Sequence, residues 1–383
     1  MTHGTHSRKQ NPHRLHALCP YFAMFPPSFV ARLLNTYTNP GDVVLDPFSG
    51  RGTTLLESLL SDRDAICADI NPVAYCVSAA KADVPTVSEL TRELTLLTEN
   101  YDDDQSELSR LEAKRLPTFF GFAFHPETLL QILYLRRELD WTKSKVHRFI
   151  AAVVLGHLHG ELNRSPNYLS NQMPHTISTK PDYSVRYWKT NGLIAPKRNA
   201  FDLLKDRIKF RLESGAPGRK DIAVQCDARA LGSRLYRRHD SVRAIITSPP
   251  YLDVTKFEED QWLRLWFLGG APKPTYGEVS SDDRHTNAEG YWRFLGEVWR
   301  GIAPLLRTDG HLICRIGTRA IRPSELADAI VASVREAWPT SELKKTHRSE
   351  IKGSQSAIFN PVASGCRYEI DFTFAVSARR SKH

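Results

Sequence analysis

Long hydrophobic runs are missing from this chain of 383 residues. The longest, Phe119–Phe124 and Phe149–Gly156, fall far short of the ~20 apolar residues that a membrane helix needs. The opening MTHGTHSRKQNPHRLH is polar and basic and lacks the apolar stretch of a secretory signal. Cysteine is scarce. Cys19, Cys67, Cys76, Cys226, Cys314 and Cys366 form no CxxC pair and no zinc-knuckle spacing. Cys67, Cys226 and Cys314 sit in apolar, strand-like runs, where the thiol acts as a small buried hydrophobe. No metal site is expected. His157 and His159 are two residues apart, which points them to different faces of a helix. Acids are absent from residues 1–40, which carry Arg8, Lys9, Arg14, Arg32 and four histidines. These absences exclude membrane-spanning, secreted, collagenous and wholly disordered classes, and a cytoplasmic protein is expected.

What is present is ordinary globular material. Hydrophobic residues make up 41% and charged residues 25%, enough to bury a core without staples. At roughly 150 residues per domain, the length allows about two domains or one large decorated one. The net charge of +9 and pI near 9.2 favour a polyanionic partner.

The pattern along the chain predicts an α/β fold. PPSFVARLLNTYTNPGD reads as a helix with proline at its start. Asp42–Asp46 is an apolar run suited to a buried parallel strand, LLESLLSDRDA a helix, Ala65–Ile70 a second strand and Asn71–Ala82 a helix. This βαβα order is that of a doubly wound sheet. The pattern then breaks. Residues 86–115 read as one helix with the acidic stretch Tyr101–Asp104, and Pro126–Leu139 and Lys143–Gly160 as two more. Arg164–Asn191 reads as irregular, and Phe201–Leu212 as a basic amphipathic helix. Strands resume at Asp221–Ala228, Arg243–Thr247 and His311–Gly317, the last preceded by a helix over Tyr291–Leu306 that ends in the turn RTDG. Strands near Ser349–Lys352 and Arg367–Val376 suggest a closing hairpin. The sheet is thus split by an insertion of about 130 residues, far beyond an ordinary loop. The expected division is 1–90, a basic arm with a cofactor-binding half; 91–220, a helical and irregular insertion able to serve in target recognition; and 221–383, a catalytic half.

Two motifs carry the chemistry. Asp46-Pro47-Phe48-Ser49-Gly50-Arg51-Gly52-Thr53-Thr54 joins a strand to a helix, and its glycines permit a tight turn and close approach to a ligand. It has no Gly-Lys-Ser/Thr, so it is not a P-loop, and it is not GxGxxG, which disfavours a nicotinamide cofactor. Asp69, about twenty residues on at the next strand end, can accept from both hydroxyls of a ribose. The pair fits a nucleoside site and fits a plain strand–helix turn equally well. The second motif is Ser248-Pro249-Pro250-Tyr251, after the strand RAIIT. Two prolines cannot continue a ladder, and they fix carbonyls at the crevice where α/β proteins bind ligands. A hydroxyl, a fixed carbonyl and an aromatic ring suit a flat, amine-bearing group; the bland alternative is a Pro-Pro turn with an aromatic staple. Trp262, Leu265 and Trp266 are read as core-facing. Asp253, Glu258, Glu259 and Asp260 are read as a solvated face or helix start. The mixed run 163–187 fits base and phosphate reading or an ordinary packed loop.

DPFSGRGTT with Asp69, followed by SPPY, resembles the S-adenosylmethionine-dependent amino-group DNA methyltransferases. The resemblance covers about 1–85 and 221–376. The order of motifs is similar to the subgroup with the cofactor half first, a target-recognition part in the middle and the catalytic half last. One departure is that the strand ending at Asp227 follows the insertion instead of staying with the cofactor half. The resemblance implies a Rossmann-like, doubly wound sheet of seven strands, the last antiparallel, with a large, mostly helical insertion. It implies S-adenosylmethionine held by Phe25, Asp46, Pro47, Phe48, Ser49, Gly50, Gly52, Thr53, Asp69 and Asp227, and a flipped base held by Ser248, Pro249, Pro250 and Tyr251. No metal is implied. The implied reaction is methylation of cytosine N4 in double-stranded DNA, ahead of adenine N6 or RNA, with a partner restriction endonuclease in view. No Pro-Cys pair follows a strand, which counts against C5-cytosine methylation. A nucleic-acid-binding module without activity is the rival from another class, and retention of both motifs argues against it.

Overall fold

The computed structural model describes residues 12–21, 25–161, 167–173, 180–218, 220–252, 257–275, 287–318, 321–350 and 368–376. After a 3-10 turn at Arg14–Ala17 come helix α1 (Pro27–Tyr37), strand β1 (Val43–Asp46), helix α2 (Thr53–Leu60), strand β2 (Asp64–Asp69) and helix α3 (Pro72–Ala82). A run of helices follows: α4 (Val87–Glu99), α5 (Asp103–Ala113), α6 (Thr118–Ala123), α7 (Pro126–Glu138) and α8 (Lys145–His157). A two-residue strand pair, β3 (Gly160–Glu161) with β4 (Gln172–Met173), precedes α9 (Pro181–Thr190) and α10 (Ala200–Leu212). The chain closes with β5 (Ile222–Gln225), α11 (Leu231–Arg234), β6 (Val242–Thr247), α12 (Phe257–Phe267), α13 (Ala288–Ile302), β7 (Leu306–Thr318), α14 (Pro323–Ala337), β8 (Glu342–Glu350) and β9 (Tyr368–Val376).

Seven strands form one sheet in the order β5-β2-β1-β6-β7-β9-β8. The first five are mutually parallel, and β9 runs antiparallel to β7 and β8. The expected Rossmann-like, doubly wound architecture is therefore present. Although β5 comes after the insertion, it returns to pair with β2, placing Ile66 against Ile222 and Asp69 against Gln225. The strand order reverses between β1 and β6, and the crevice beyond their carboxyl ends is where ligands bind in open α/β sheets.

Alternation along the strands sends side chains to opposite faces. Val44, Ala244, Ile246 and Ile313 meet Phe29, Val30, Leu33 and Leu34 of α1. Leu45, Ile245, Leu312 and Cys314 meet α13 and α14. Helices α4 to α10 do not form a core of their own. They share one with α3, with α12 and with Leu15, Leu18, Cys19 and Tyr21 near the start of the chain.

Several elements differ from expectation. Residues 86–115 form two helices, because Asp102 leaves helical geometry and caps α5 through the amide of Gln105. Part of the segment expected to be irregular is α9, whose Trp188 and Ser184 are fully buried. The RTDG sequence is not a turn ahead of the strand but an outward excursion within β7: Val242 pairs with Leu306 and Ala244 with His311. The penultimate strand begins at Glu342, earlier than expected, and helix α14, which opens on Pro323 with Glu325 at its third position, was not among the expected elements. The arm up to residue 11, Asp253, Cys366, residues 351–352 and the terminal RRSKH lie outside the described residues, as do parts of 163–187.

Candidate active site

β1 ends at Asp46, whose side chain is buried beneath the turn that follows. Its Oδ1 accepts from the Thr247 hydroxyl at 2.7 Å and from the Phe48 amide at 3.2 Å. Burial pushes this carboxyl up to about 6, against the opposing pull of the Thr247 and Thr54 hydroxyls and the Phe48 amide. Thr247 is the last residue of β6 and immediately precedes Ser248-Pro249-Pro250-Tyr251. The two motifs, some 200 positions apart in sequence, are thus joined at the switch point by one buried hydrogen bond.

The glycine turn is fixed by its backbone. The Ser49 amide donates to the Ala68 carbonyl at 2.9 Å, and the Gly50 amide to Asp69 Oδ2 at 2.9 Å. Gly50 and Gly52 adopt φ of 48° and 72°, where a side chain strains the backbone. A Cβ on Gly52 would also lie 3.1 Å from that of Ser78 on α3. Beneath the turn, the fully buried Lys81 donates its ammonium to the Arg51 carbonyl. Burial and the neighbouring Arg51 push that ammonium well below its usual range. Gly52 offers no side-chain cap to α2, so the helix begins at Thr53 with its amide dipoles facing the turn. Phe48 rests on Phe294 at 5.9 Å between ring centres. Pro47 completes the bend.

Asp69 closes β2, half-buried, with Oδ1 accepting from the Asn71 amide at 3.0 Å. Asn71 in turn caps α3 through the amides of Val73 and Ala74. Tyr21 lies across the turn, its ring 3.4 Å from where a Gly50 Cβ would stand. Burial, then the nearby Asp69, push its phenol well above the usual range. Phe25 is core-packed, 5.3 Å from Phe29 and under the Arg315 guanidinium. Asp227, just past β5, accepts from the Arg229 amide at 2.9 Å and pairs with the Arg229 guanidinium, which also binds Glu297 at 2.9 Å. Asp227, which the resemblance assigns to the cofactor, is therefore shared with an arginine.

Across the crevice, Ser248 and Pro250 are half-buried and Pro249 and Tyr251 buried. The Tyr251 phenol donates to Glu369 Oε1 at 2.8 Å. Burial, then the Glu369 carboxylate, push the Tyr251 phenol well above its usual range. Trp262 and Trp266 are buried against Phe119 and Phe120, as expected, with Leu265 at the edge of that core.

Lys81, Arg315 and Glu369 also stand at the candidate site, and the sequence does not single them out. Signals exist for all three. Lys81 interrupts the small apolar run VSAAKA, and Arg315 interrupts HLICRIG. Glu369 and Asp371 alternate in YEIDF, so both face one side of β9. His157 and His159 have separate partners, the Val153 carbonyl and Ser170. Among the described residues no cluster of three or more His, Cys, Asp or Glu could hold a metal ion, and no helix is long and apolar enough to cross a membrane.

The family model described as DNA methylase, covering N6 and N4 amino methylation, matches residues 2–80. Over that segment the chain is similar to the amino-group DNA methylases. The type II methyltransferase M.MjaII of Methanocaldococcus jannaschii is similar there too, at 30% identity over 86 residues, which is 22% of this chain and 16% of that protein. Among solved structures, TrmN from Thermus thermophilus is 12% identical with a TM-score of 0.36, covering 95% of this chain and 52% of its own. The rRNA methyltransferase aviRa from Streptomyces viridochromogenes is 13% identical with a TM-score of 0.34, covering 96% and 94%. At these scores the likeness carries no weight by itself, and the fold rests on the strand order given above. S-adenosylmethionine is the cofactor of the amino-group methylases, and the residues present fit it. Gly50 and Gly52 turn the backbone tightly through left-handed conformations between strand and helix, and the Asp69 carboxylate stands at the end of the neighbouring strand, where folds of this kind bind a ribose.

Proposed function

We propose that this protein transfers a methyl group from S-adenosylmethionine to the exocyclic N4 of cytosine in double-stranded DNA. The observation that carries the reading is the Thr247–Asp46 hydrogen bond, which sets the glycine turn and SPPY side by side at the switch point. When bound, the cofactor supplies an already activated sulfonium methyl, so positioning and electrostatics suffice for the rest. Phe48 to Thr53 and Asp69 would hold it, with Tyr21 covering the turn and Asp227 at the adenine side. The Ser248 hydroxyl and a carbonyl of the proline corner accept from the two amine protons, which favours a pyramidal nitrogen able to attack in line. The Tyr251 ring offers a face to the base. The base must leave the helix, at an unstacking cost of a few kcal/mol.

A polyanionic substrate is supported by a feature of the surface. Arg14, from the start of the chain, and Arg207 and Arg211 of α10 surround the ring of Phe210 at 4.1, 5.4 and 5.5 Å. Arg207 and Arg211 stand four residues apart as like charges, and their Nε atoms are buried with no hydrogen-bond partner among the described residues. An acid does pair with Arg14, namely Glu213. Phosphates and an unstacked base are the natural complement of three guanidiniums on an exposed aromatic ring.

N4 is favoured over N6 by Ser248, a short hydroxyl where a longer charged acid would suit the adenine enzymes. A protective role beside a restriction endonuclease belongs to the same reading. Incubation with tritiated cofactor and either DNA or RNA, followed by digestion to nucleosides and mass spectrometry, tests it. N4-methylcytosine is expected. N6-methyladenine alone would overturn the base assignment, label in RNA alone would overturn DNA, and no label in either would overturn the activity.

A further inference from the structure

Resting on the cofactor reading above, we propose that Lys81 sets the polarity of the glycine turn toward the methionine end of S-adenosylmethionine. It is a positioning residue. It holds the Arg51 carbonyl inside the protein, so that this oxygen does not face the ligand's carboxylate.

The burial of Lys81 asks for a reason. Lysine is almost never fully buried without a paired charge, yet Lys81 is fully buried. Its partner is not an acid but the Arg51 carbonyl, at 2.5 Å. A methionine of similar length would fill the same space without taking a charge out of water. What a methionine cannot supply is the donor.

That donor acts on a single peptide unit. The Gly52 amide donates to the Ser49 carbonyl at 2.7 Å, and the carbonyl of the same unit, that of Arg51, receives Lys81. A trans peptide is planar, with N–H and C=O pointing opposite ways. The unit is thus gripped on both sides. Arg51 stands between Gly50 and Gly52, both in left-handed conformations, and glycine offers little steric resistance to a change of backbone angle. The turn by itself therefore chooses its orientation weakly, and Lys81 supplies the choice. Turned over, the unit would aim its oxygen at the crevice, where it would repel a carboxylate.

Helix α3 delivers the ammonium. Ser78 and Lys81 are three residues apart and share one face of that helix. The Ser49 hydroxyl donates to that of Ser78 at 3.4 Å. A Cβ on Gly52 would meet the Ser78 Cβ at 3.1 Å and its Cα at 3.2 Å. The helix thus lies directly against the turn, and Lys81 reaches Arg51 from just beyond Ser78. At its other end α3 starts beside Asp69, which accepts from the amide of the capping Asn71 at 3.0 Å. One helix therefore steadies both the turn and the acid.

Calorimetric titration of the full chain with three ligands tests the role: S-adenosylmethionine, S-adenosylhomocysteine, and 5′-methylthioadenosine, which lacks the amino-acid end. K81M keeps the length of the side chain and removes the donor. It is expected to weaken the first two ligands at least tenfold and methylthioadenosine less than twofold. K81Q, which keeps a shorter donor, should lose less than K81M with the same split. A lysine with a merely structural role would move all three ligands together or none. Unchanged affinity for S-adenosylmethionine in K81M, or an equal loss for all three, would overturn the proposal. Should K81M fail to fold, K81Q decides: a loss of threefold or more confined to the first two ligands is expected, and its absence overturns the role. A protein that shows this split yet methylates neither DNA nor RNA would sink the function proposed above and leave the role of Lys81 standing. A parent that binds none of the three ligands overturns both.

Discussion

The two walls of the crevice are held by different means. The glycine-turn wall is local: Gly50, Ser49, Gly52, Asp69 and Asn71 are fixed by backbone amides within one βαβ unit. The SPPY wall is long-range: Tyr251 depends on Glu369, Arg315 and Asp371, which arrive from β7 and β9. A backbone-held wall tolerates change anywhere beyond its own thirty or so residues. A side-chain-held wall can be altered from the far end of the chain without any change near the chemistry. Asp46 and Thr247 are the joint between them.

One large expected effect breaks the local wall alone. Asp69→Ala removes a charged acceptor, worth roughly 1.5–3 kcal/mol for a charged hydrogen bond, so cofactor affinity should fall by about ten- to a hundredfold. Calorimetry on the folded variant decides it, and an unchanged affinity would remove Asp69 from the cofactor site.

The joint is probed by pH. Asp46 titrates at about 6 in the fold, against 3.8 for an unperturbed side chain. Between those values the native state holds a proton that the unfolded chain has released. Stability from this group is therefore full below pH 4 and is lost as pH rises through 6, a swing of about 3 kcal/mol. Asp46→Asn should remove that slope. In urea unfolding, the variant should gain on the parent by about that amount between pH 4 and pH 7; parallel curves would show that Asp46 carries no such penalty.

The smallest effect lies outside both walls. If Arg207 and Arg211 meet phosphates, R207Q/R211Q should reduce the slope of log affinity for DNA against log salt by roughly 0.9 for each phosphate no longer neutralised, with little change in cofactor binding. An unchanged slope would place the nucleic acid elsewhere.

The local wall was legible in the sequence for the reason that it is local. A short apolar strand, a glycine turn, a periodic helix and an acid at the next strand end all fall between Asp42 and Ala82. SPPY was legible because two prolines end a strand wherever they fall. The partners of Tyr251 were not, because nothing near residue 251 names residue 369; only the alternation of Glu369 and Asp371, met with a lone arginine in an apolar strand, hinted at a buried pair. Helix α9 was hidden by its polar composition, its only strong anchor being Trp188. The break at Asp102 was visible in YDDD as capping chemistry, yet the acids read equally as a solvated face. That β5 lies beside β2 follows from pairing across the whole insertion, which no local pattern encodes.

That late return of β5 matters during synthesis. β1 and β2 leave the ribosome first, yet the outer neighbour of β2 begins at Ile222 and the other neighbour of β1 at Val242. At ~5–20 residues per second, the stretch from Asp69 to Ile222 takes about 8–30 s to make. Throughout that interval the nascent chain carries two parallel strands with open edges, the arrangement most prone to pair with a neighbouring chain. Helices α4 to α10 emerge in the same interval and bury their apolar faces against α3. The insertion can thus fold onto one flank of the unfinished sheet before the sheet itself is complete, which makes it a built-in escort for the half of the molecule that must wait.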